Sequence, residues 1–162
     1  MDDERAVLGE LLPRLTRLSE ALSRGRLFDH VLESAGLSLE RPAITVLVTL
    51  HRAGGPLRVG EIATRMQVAG PHVTRHVQGL ERRGLVRRVE DPADQRARLI
   101  EATPEGTDAA ERYLSVLLGW LSEALGQWPD QDRRDLVRLL GRLIDDLHER
   151  VAAAAGPDAP LS

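Results

Sequence analysis

The sequence predicts a mostly α-helical chain with one small β-hairpin, an α+β arrangement in a single domain over residues 1–162. Three observations predict it. Apolar residues recur at spacings of three and four through most of the chain, the period of helices with one buried face. One stretch, residues 85–102, changes to strand-like β-branched alternation on either side of an acidic, proline-containing turn. Before it, between residues 57 and 83, two short helical patterns are joined by Val68-Ala69-Gly70.

Residues 1–35 read as one long helix. Val7, Leu8, Leu11, Leu12, Leu15, Leu18 and Leu22 form its stripe, and Phe28, Val31 and Leu32 continue it. Pro13 falls inside the pattern, where it either starts the ordered helix or kinks it. Gly36 is the stop. Ser38 is placed to cap a helix over residues 39–52, with Pro42 in its first turn and Ile44, Leu47, Val48 and Leu50 inward. Ala53-Gly54-Gly55-Pro56 ends it.

A short helix over 59–66 follows, with Ile62, Ala63 and Met66 on its buried side. Gly70 caps the next helix, and Pro71 starts it at the first position. In that helix, residues 71–83, Val73, Val77 and Leu80 fall at i, i+4 and i+7 and face the core. At about 100° per residue the opposite face carries Pro71, Arg75, Gln78 and Arg82, with Thr74 and Gly79 at its edges. Those side chains suit base edges: Arg donates two hydrogen bonds to guanine, Gln pairs with adenine, and Thr meets a thymine methyl. A polar face of this kind is also what any solvated helix presents, so the flanking elements carry the weight.

Gly84 ends that helix. Residues 85–89 read as a strand, 90–95 as a turn, and 98–102 as the returning strand. Arg96 at the hairpin tip fits a wing that enters a minor groove, where negative potential is high. Asp94, two residues earlier, is placed to hold that side chain extended by an ion pair. The bland alternative leaves Arg96 solvated and bridged to Asp94 or Asp91. Thr103 then caps, and Pro104 starts, a helix to about residue 127 striped by Tyr113, Leu114, Leu117, Leu118, Leu121 and Leu125. Trp128-Pro129 breaks it. Asp130 caps a last helix to about residue 154, with Leu136, Val137, Leu140, Leu143, Ile144 and Leu147 buried.

Composition excludes whole classes. There is no cysteine, so disulfides, thiol nucleophiles and Cys-based zinc sites are out. No apolar run approaches the roughly 18 residues that cross a bilayer. The N-terminus opens acidic rather than basic-then-apolar, so a cytoplasmic location is the expectation. The net charge of −3 argues against a nucleic-acid binder until its distribution is read. Residues 52–100 hold ten Arg against five acidic side chains, whereas the remainder holds 12 Arg against 20. A basic segment inside an acidic chain is the footprint of a phosphate backbone. Every basic residue is Arg and none is Lys, a usage that codon bias explains as well as function does.

Two helices, a turn and a charged hairpin make a winged helix-turn-helix, and its details resemble the MarR family of bacterial transcriptional regulators over about residues 10–150. The resemblance rests on VGEIATRM, on HVTRHVQGLERRGLVRR and on DPADQRARLIEATPEG. Within the last, Asp91, Pro92, Asp94, Arg96, Thr103, Pro104 and Gly106 occupy the places of an acidic DPxDxR wing followed by a Thr-Pro-x-Gly helix start. The resemblance implies a DNA-binding lobe over 37–103, dimerisation helices over 5–35 and 104–154, and a disordered tail over 155–162. It implies a homodimer on double-stranded DNA, one recognition helix and one wing per half-site of a near-palindromic operator. Pro71, His72, Thr74, Arg75 and Gln78 are then the recognition residues, joined by Arg82 and Arg98 on the basic surface. Arg96 is the wing residue and Asp94 its orienter. A repressor released by a small phenolic or other lipophilic effector is the implied mode of action; no motif assigns that ligand's contacts, and neither a cofactor nor a membrane is expected.

The chain departs from the family pattern in places. Arg58 stands where a capping Ser or Thr is usual, which predicts a frayed helix start. Ala69-Gly70 replaces a polar cap, and Gln95 and Ala97 remove polar or basic wing side chains. One competing reading uses His72 and His76, at i and i+4, as ligands of a metal-dependent enzyme or metal sensor. It lacks a third ligand, an HExxH helix, a phosphate loop or a serine elbow. His30, His51 and His148 read as packing or surface residues.

Overall fold

The structure, a computed structural model, describes residues 2–23 and 26–155. In order these form α1 (Asp2–Ser23), α2 (Arg26–Ser34), α3 (Arg41–Ala53), α4 (Val59–Met66), α5 (Gly70–Arg82), β1 (Val86–Asp91), β2 (Asp94–Ala102), α6 (Pro104–Ala124) and α7 (Asp130–Ala155). The chain divides into two compact units, residues 1–117 and 118–162. Among the described residues no helix is long and apolar enough to cross a membrane.

The first unit is built around the β-branched and leucine residues that the helical period places inward. Val31, Ile44, Val46, Leu47, Ile62, Val73, Val77 and Ile100 are fully removed from solvent. Leu50, Leu57, Leu80, Val86, Ala109, Ala110 and Tyr113 close the same core. Full burial of a Val, Leu or Ile side chain contributes roughly 1.5–3 kcal/mol. Three such residues on one side of α5 therefore fix its rotation.

β1 and β2 form an antiparallel pair running from Val86↔Ala102 to Glu90↔Arg98. A third backbone segment joins at the base, where Leu57 and Ile100 exchange both amide hydrogen bonds, at 3.0 and 2.8 Å. Gly84 adopts φ +70°, the left-handed turn that releases the chain from α5 into β1. Thr103 joins the hairpin to α6: its hydroxyl donates to the Gly84 carbonyl at 2.7 Å and accepts the Gly106 N–H at 3.1 Å. The expected cap is thus present.

Several expected boundaries move. The single helix over 1–35 is two, ending at Ser23 and restarting at Arg26. The intervening residues, Arg24 and Gly25, lie outside the described residues. Pro13 lies inside α1. α3 is capped by Glu40 rather than Ser38, since Pro42 tolerates a helix start only one or two residues before it. Val46 takes the buried place expected of Val48, which is half-buried. α4 is not frayed: Arg58 is its cap residue, and the Arg58 backbone N–H donates to Glu61 Oε2 at 2.7 Å. The α4–α5 turn comes earlier than expected. Gln67 takes the left-handed conformation, Ala69 is the cap residue and Gly70 is already helical. The hairpin strands are longer than expected and leave only Pro92 and Ala93 between them. α6 ends at Ala124 rather than 127, and α7 begins at Asp130 itself. Of the expected tail, 155–162, all but Ala155 falls outside the described residues.

The largest departure concerns α7. Leu136, Val137, Leu140, Ile144 and Leu147 were expected to be buried, yet they are 37–74 % exposed in the single chain. Only Leu143 is half-covered. The 3.6-residue period identifies the apolar face of a helix but not what covers it.

Candidate nucleic-acid interface

α5 presents the face that its period requires. Val73 and Val77 are fully buried and Leu80 nearly so, while Pro71, His72, Arg75, Gln78 and Arg82 are exposed on the other side. Thr74 is half-buried, and its hydroxyl donates to the Gly70 carbonyl at 3.1 Å. Ala69 gives the first turn of α5 no side-chain acceptor, so no side chain competes for amides that an anion can use. A groove of about 520 Å³ runs between the segment before α3 and the outer side of α5, lined among others by Glu40, Arg75, His76 and Arg82.

Seven arginines of α4, α5 and the hairpin divide into two groups. Arg58 pairs with Asp91, Arg87 with Glu101 at 2.7 Å, Arg88 with Glu81 at 3.2 Å and Arg98 with Glu90 at 3.6 Å. Arg75, Arg82 and Arg96 are exposed, and among the described residues none of them is in an ion pair. Acidic neighbours neutralise the strand arginines and leave Arg75 and Arg82 on the outer face of α5, and Arg96 on the wing, without an acidic partner. That separation could not be read from the net +5 of the segment.

Arg96 lies where the strand pairing lapses. Beyond Glu90↔Arg98 the next partners are Asp91↔Asp94, so residues 95–97 of β2 have no counterpart on β1. Asp94 does not grip the Arg96 guanidinium as expected. Its Oδ1 accepts the Arg96 backbone N–H at 3.0 Å, which sets the chain direction at that residue. Nor is Arg96 bridged to Asp91, because Asp91 is engaged elsewhere. Asp91 Oδ2 accepts from both Nε and Nη2 of Arg58, at 2.9 and 2.5 Å, and its Oδ1 accepts the Ala93 N–H at 2.9 Å. The Ala93 N–H first and the Arg58 fork second hold the Asp91 carboxyl below its usual range. The only sign of this pair in the sequence was the oddity of an Arg at a helix cap.

His76 is 8 % exposed on the inner edge of α5, with Nδ1 3.7 Å from Glu40 Oε2. The His72 ring meets it edge-on, 4.6 Å between centroids. Burial, and then the neighbouring His72, lower its pKa; Glu40 opposes them. Among the described residues no three His, Asp or Glu side chains are grouped to hold a metal ion. His30 and His148 are exposed and His51 is half-buried.

Known proteins share both the sequence and the fold. The MarR family profile matches residues 36–97. The HTH-type transcriptional repressor YetL of Bacillus subtilis is 30% identical over 122 residues, covering 74% of this chain and 73% of YetL. Streptococcus pneumoniae FabT, solved in complex with DNA, superposes with a TM-score of 0.71 at 14% identity, over 85% of this chain and 98% of FabT. CouR of Rhodococcus jostii RHA1, solved with p-coumaroyl-CoA, does so with a TM-score of 0.60 at 22% identity, over 93% of each chain.

Proposed function

The chain belongs to the MarR family of DNA-binding transcriptional regulators, and from that premise we propose that it acts as a homodimeric repressor on a near-palindromic operator. One observation carries the proposal. Arg75, Gln78 and Arg82 project together from the face of α5 opposite its buried valines, in the lobe whose hairpin bears the unpaired Arg96.

In this reading α5 enters the major groove of double-stranded DNA. Pro71, His72, Thr74, Arg75 and Gln78 meet base edges there, and Arg82 meets phosphate. Arg96 reaches the adjacent minor groove, with Asp94 orienting its backbone, and Arg98, paired with Glu90 in the free protein, lies at the wing's edge. The exposed apolar faces of α1, α6 and α7 pair with those of a second copy, so that two recognition helices address half-sites about one helical turn apart. A small phenolic or otherwise lipophilic effector releases the DNA; that the fold relative CouR was solved with p-coumaroyl-CoA supports effector binding. The relatives are named as regulators rather than enzymes, and His72 with His76 lacks a third ligand among the described residues.

Selection of bound duplexes from a random-sequence pool tests this, with the mass of the complex measured by sedimentation. The expected product is an inverted repeat bound by two protomers. A pool that fails to converge, or a one-protomer complex on an asymmetric site, overturns it.

A further inference from the structure

The contact that the sequence gives least reason to expect lies near the tip of the hairpin, at the last residue of β1. Arg58 is the cap residue of α4, and its backbone is fixed by Glu61. Its side chain runs away from that helix to the end of β1, where the guanidinium donates twice to one oxygen of Asp91. The Asp91 side chain is only 9% exposed, although the Arg58 end of the pair is half in water. The other oxygen of Asp91 takes the Ala93 N–H and closes the turn between the strands. Directly across from Asp91 is Asp94, whose carboxylate takes the Arg96 N–H. A chain of contacts thus runs from the helix-turn-helix through Asp91, the turn and Asp94 to the unpaired segment that carries Arg96. At the other end of the hairpin, the Leu57 bridge to Ile100 fixes the strands to the residue before Arg58. Consecutive residues, 57 and 58, hold the hairpin at two points along its length.

We propose that Arg58 is the positioning residue of the wing: through Asp91 it sets the angle at which the hairpin leaves the helix-turn-helix, and so where Arg96 meets the DNA. Two points of attachment fix an angle that one leaves free. Strand pairing cannot do so at the tip, because β1 offers residues 95–97 no partner. The proposal rests on the reading of the wing as a minor-groove element.

The test uses the full-length protein on a duplex selected from a random-sequence pool. The variants are Arg58→Met, Arg58→Lys, Asp91→Asn, Arg96→Ala and the Arg58→Met/Arg96→Ala double. Arg58→Met and Asp91→Asn each weaken binding about ten-fold, about the loss expected from removing the Arg96 contact itself. Hydroxyl-radical protection disappears at the wing's minor groove, while guanine N7 protection under α5 persists. Arg58→Lys, which still delivers a cation to Asp91, recovers most of the affinity. Arg96→Ala costs about ten-fold alone but about two-fold or less in the Arg58→Met background, because a misplaced wing has little left to lose. Additive costs overturn the proposal. So does an Asp91→Asn variant that binds as well as or better than the parent, since an Arg58 freed from Asp91 would then act on phosphate directly. If Arg58→Met loses its helical circular dichroism, Asp91→Asn and Arg58→Lys decide the question alone. If Arg96→Ala leaves parent affinity and footprint unchanged, the wing reading itself falls, a failure distinct from additive costs.

Discussion

Gly106 lies directly beneath the carbonyl of Leu85: a Cβ at that position would sit 1.9 Å from the Leu85 oxygen and 3.3 Å from Leu47 Cδ2. The first turn of α6 packs onto the start of β1 with no space for a methyl group. The obstacle is backbone, and the Thr103 N–H pins it further by donating to the same oxygen at 3.1 Å. Gly106→Ala should therefore destabilise at the upper end of the range for overpacking, about 3 kcal/mol. That lowers the melting temperature by roughly 10 °C. Gly119→Ala, in the same helix and with nothing within 4 Å, serves as the control and should leave the melt unchanged or slightly raised. Equal melts for the two variants would refute the packing argument.

This contact shows how far the sequence could be read. Gly106 was placed only by the resemblance to a Thr-Pro-x-Gly helix start, since its contact with Leu85 is not local; Thr103 was legible as a cap because capping is a local rule. Val73, Val77 and Leu80 were legible for the same reason: a helical period fixes which residues turn inward. Most of what failed was non-local, and one failure was a local rule misapplied. Arg58 looked like a defective cap because its partner, Asp91, is 33 residues away. Asp94 was assigned the guanidinium of Arg96 when a short Asp side chain reaches the backbone N–H two residues on more readily. The apolar stripe of α7 was read as buried, but periodicity cannot distinguish a face covered by its own chain from one covered by another.

The division of arginines into paired and unpaired groups predicts unequal losses on DNA. Arg75→Ala should cost roughly 1–3 kcal/mol and relax base preference at one position of each half-site. Arg82→Ala should weaken binding to all sequences alike and reduce the slope of log affinity against log salt by about 0.9 for each phosphate contact removed. Arg88→Ala, whose guanidinium Glu81 already neutralises, should change affinity little. Fluorescence anisotropy across a salt series, on the selected site and on single-base variants of it, measures all three. An Arg88 loss as large as that of Arg75 would contradict the charge map.

His76 makes stability depend on pH in a definite direction. Its folded pKa lies below the unfolded value, chiefly through burial. The unfolded chain thus takes up a proton that the folded chain resists. Stability is complete above the ordinary imidazole pKa of about 6.5 and falls as pH drops from there toward the lowered folded value. His76→Gln removes that proton uptake, so its denaturation midpoint should fall less than the parent's between neutral and mildly acidic pH. Parallel pH dependences for parent and variant would show that burial of His76 does not perturb it.

α7 carries the strongest prediction about assembly. Leu136, Val137, Leu139, Leu140, Ile144, Leu147 and Val151 are between 37 and 74 % exposed and fall within one side of the helix at about 100° per residue. Such an apolar stripe on a chain that works alone would be an aggregation liability. In a two-fold dimer each substitution acts twice. Leu140→Glu removes two buried leucines and places two carboxylates in an apolar interface. Leu140 is 41 % exposed, so covering it contributes less than half of the roughly 1.5–3 kcal/mol of a fully buried leucine; with two carboxylates desolvated as well, the dimer dissociation constant should rise at least ten-fold. The isolated chain already exposes Leu140, so its helical circular dichroism should be unaffected. Sedimentation equilibrium over a concentration series distinguishes loss of association from loss of fold. A Leu140→Glu protein that sediments with the parent's mass at every concentration would remove α7 from the interface.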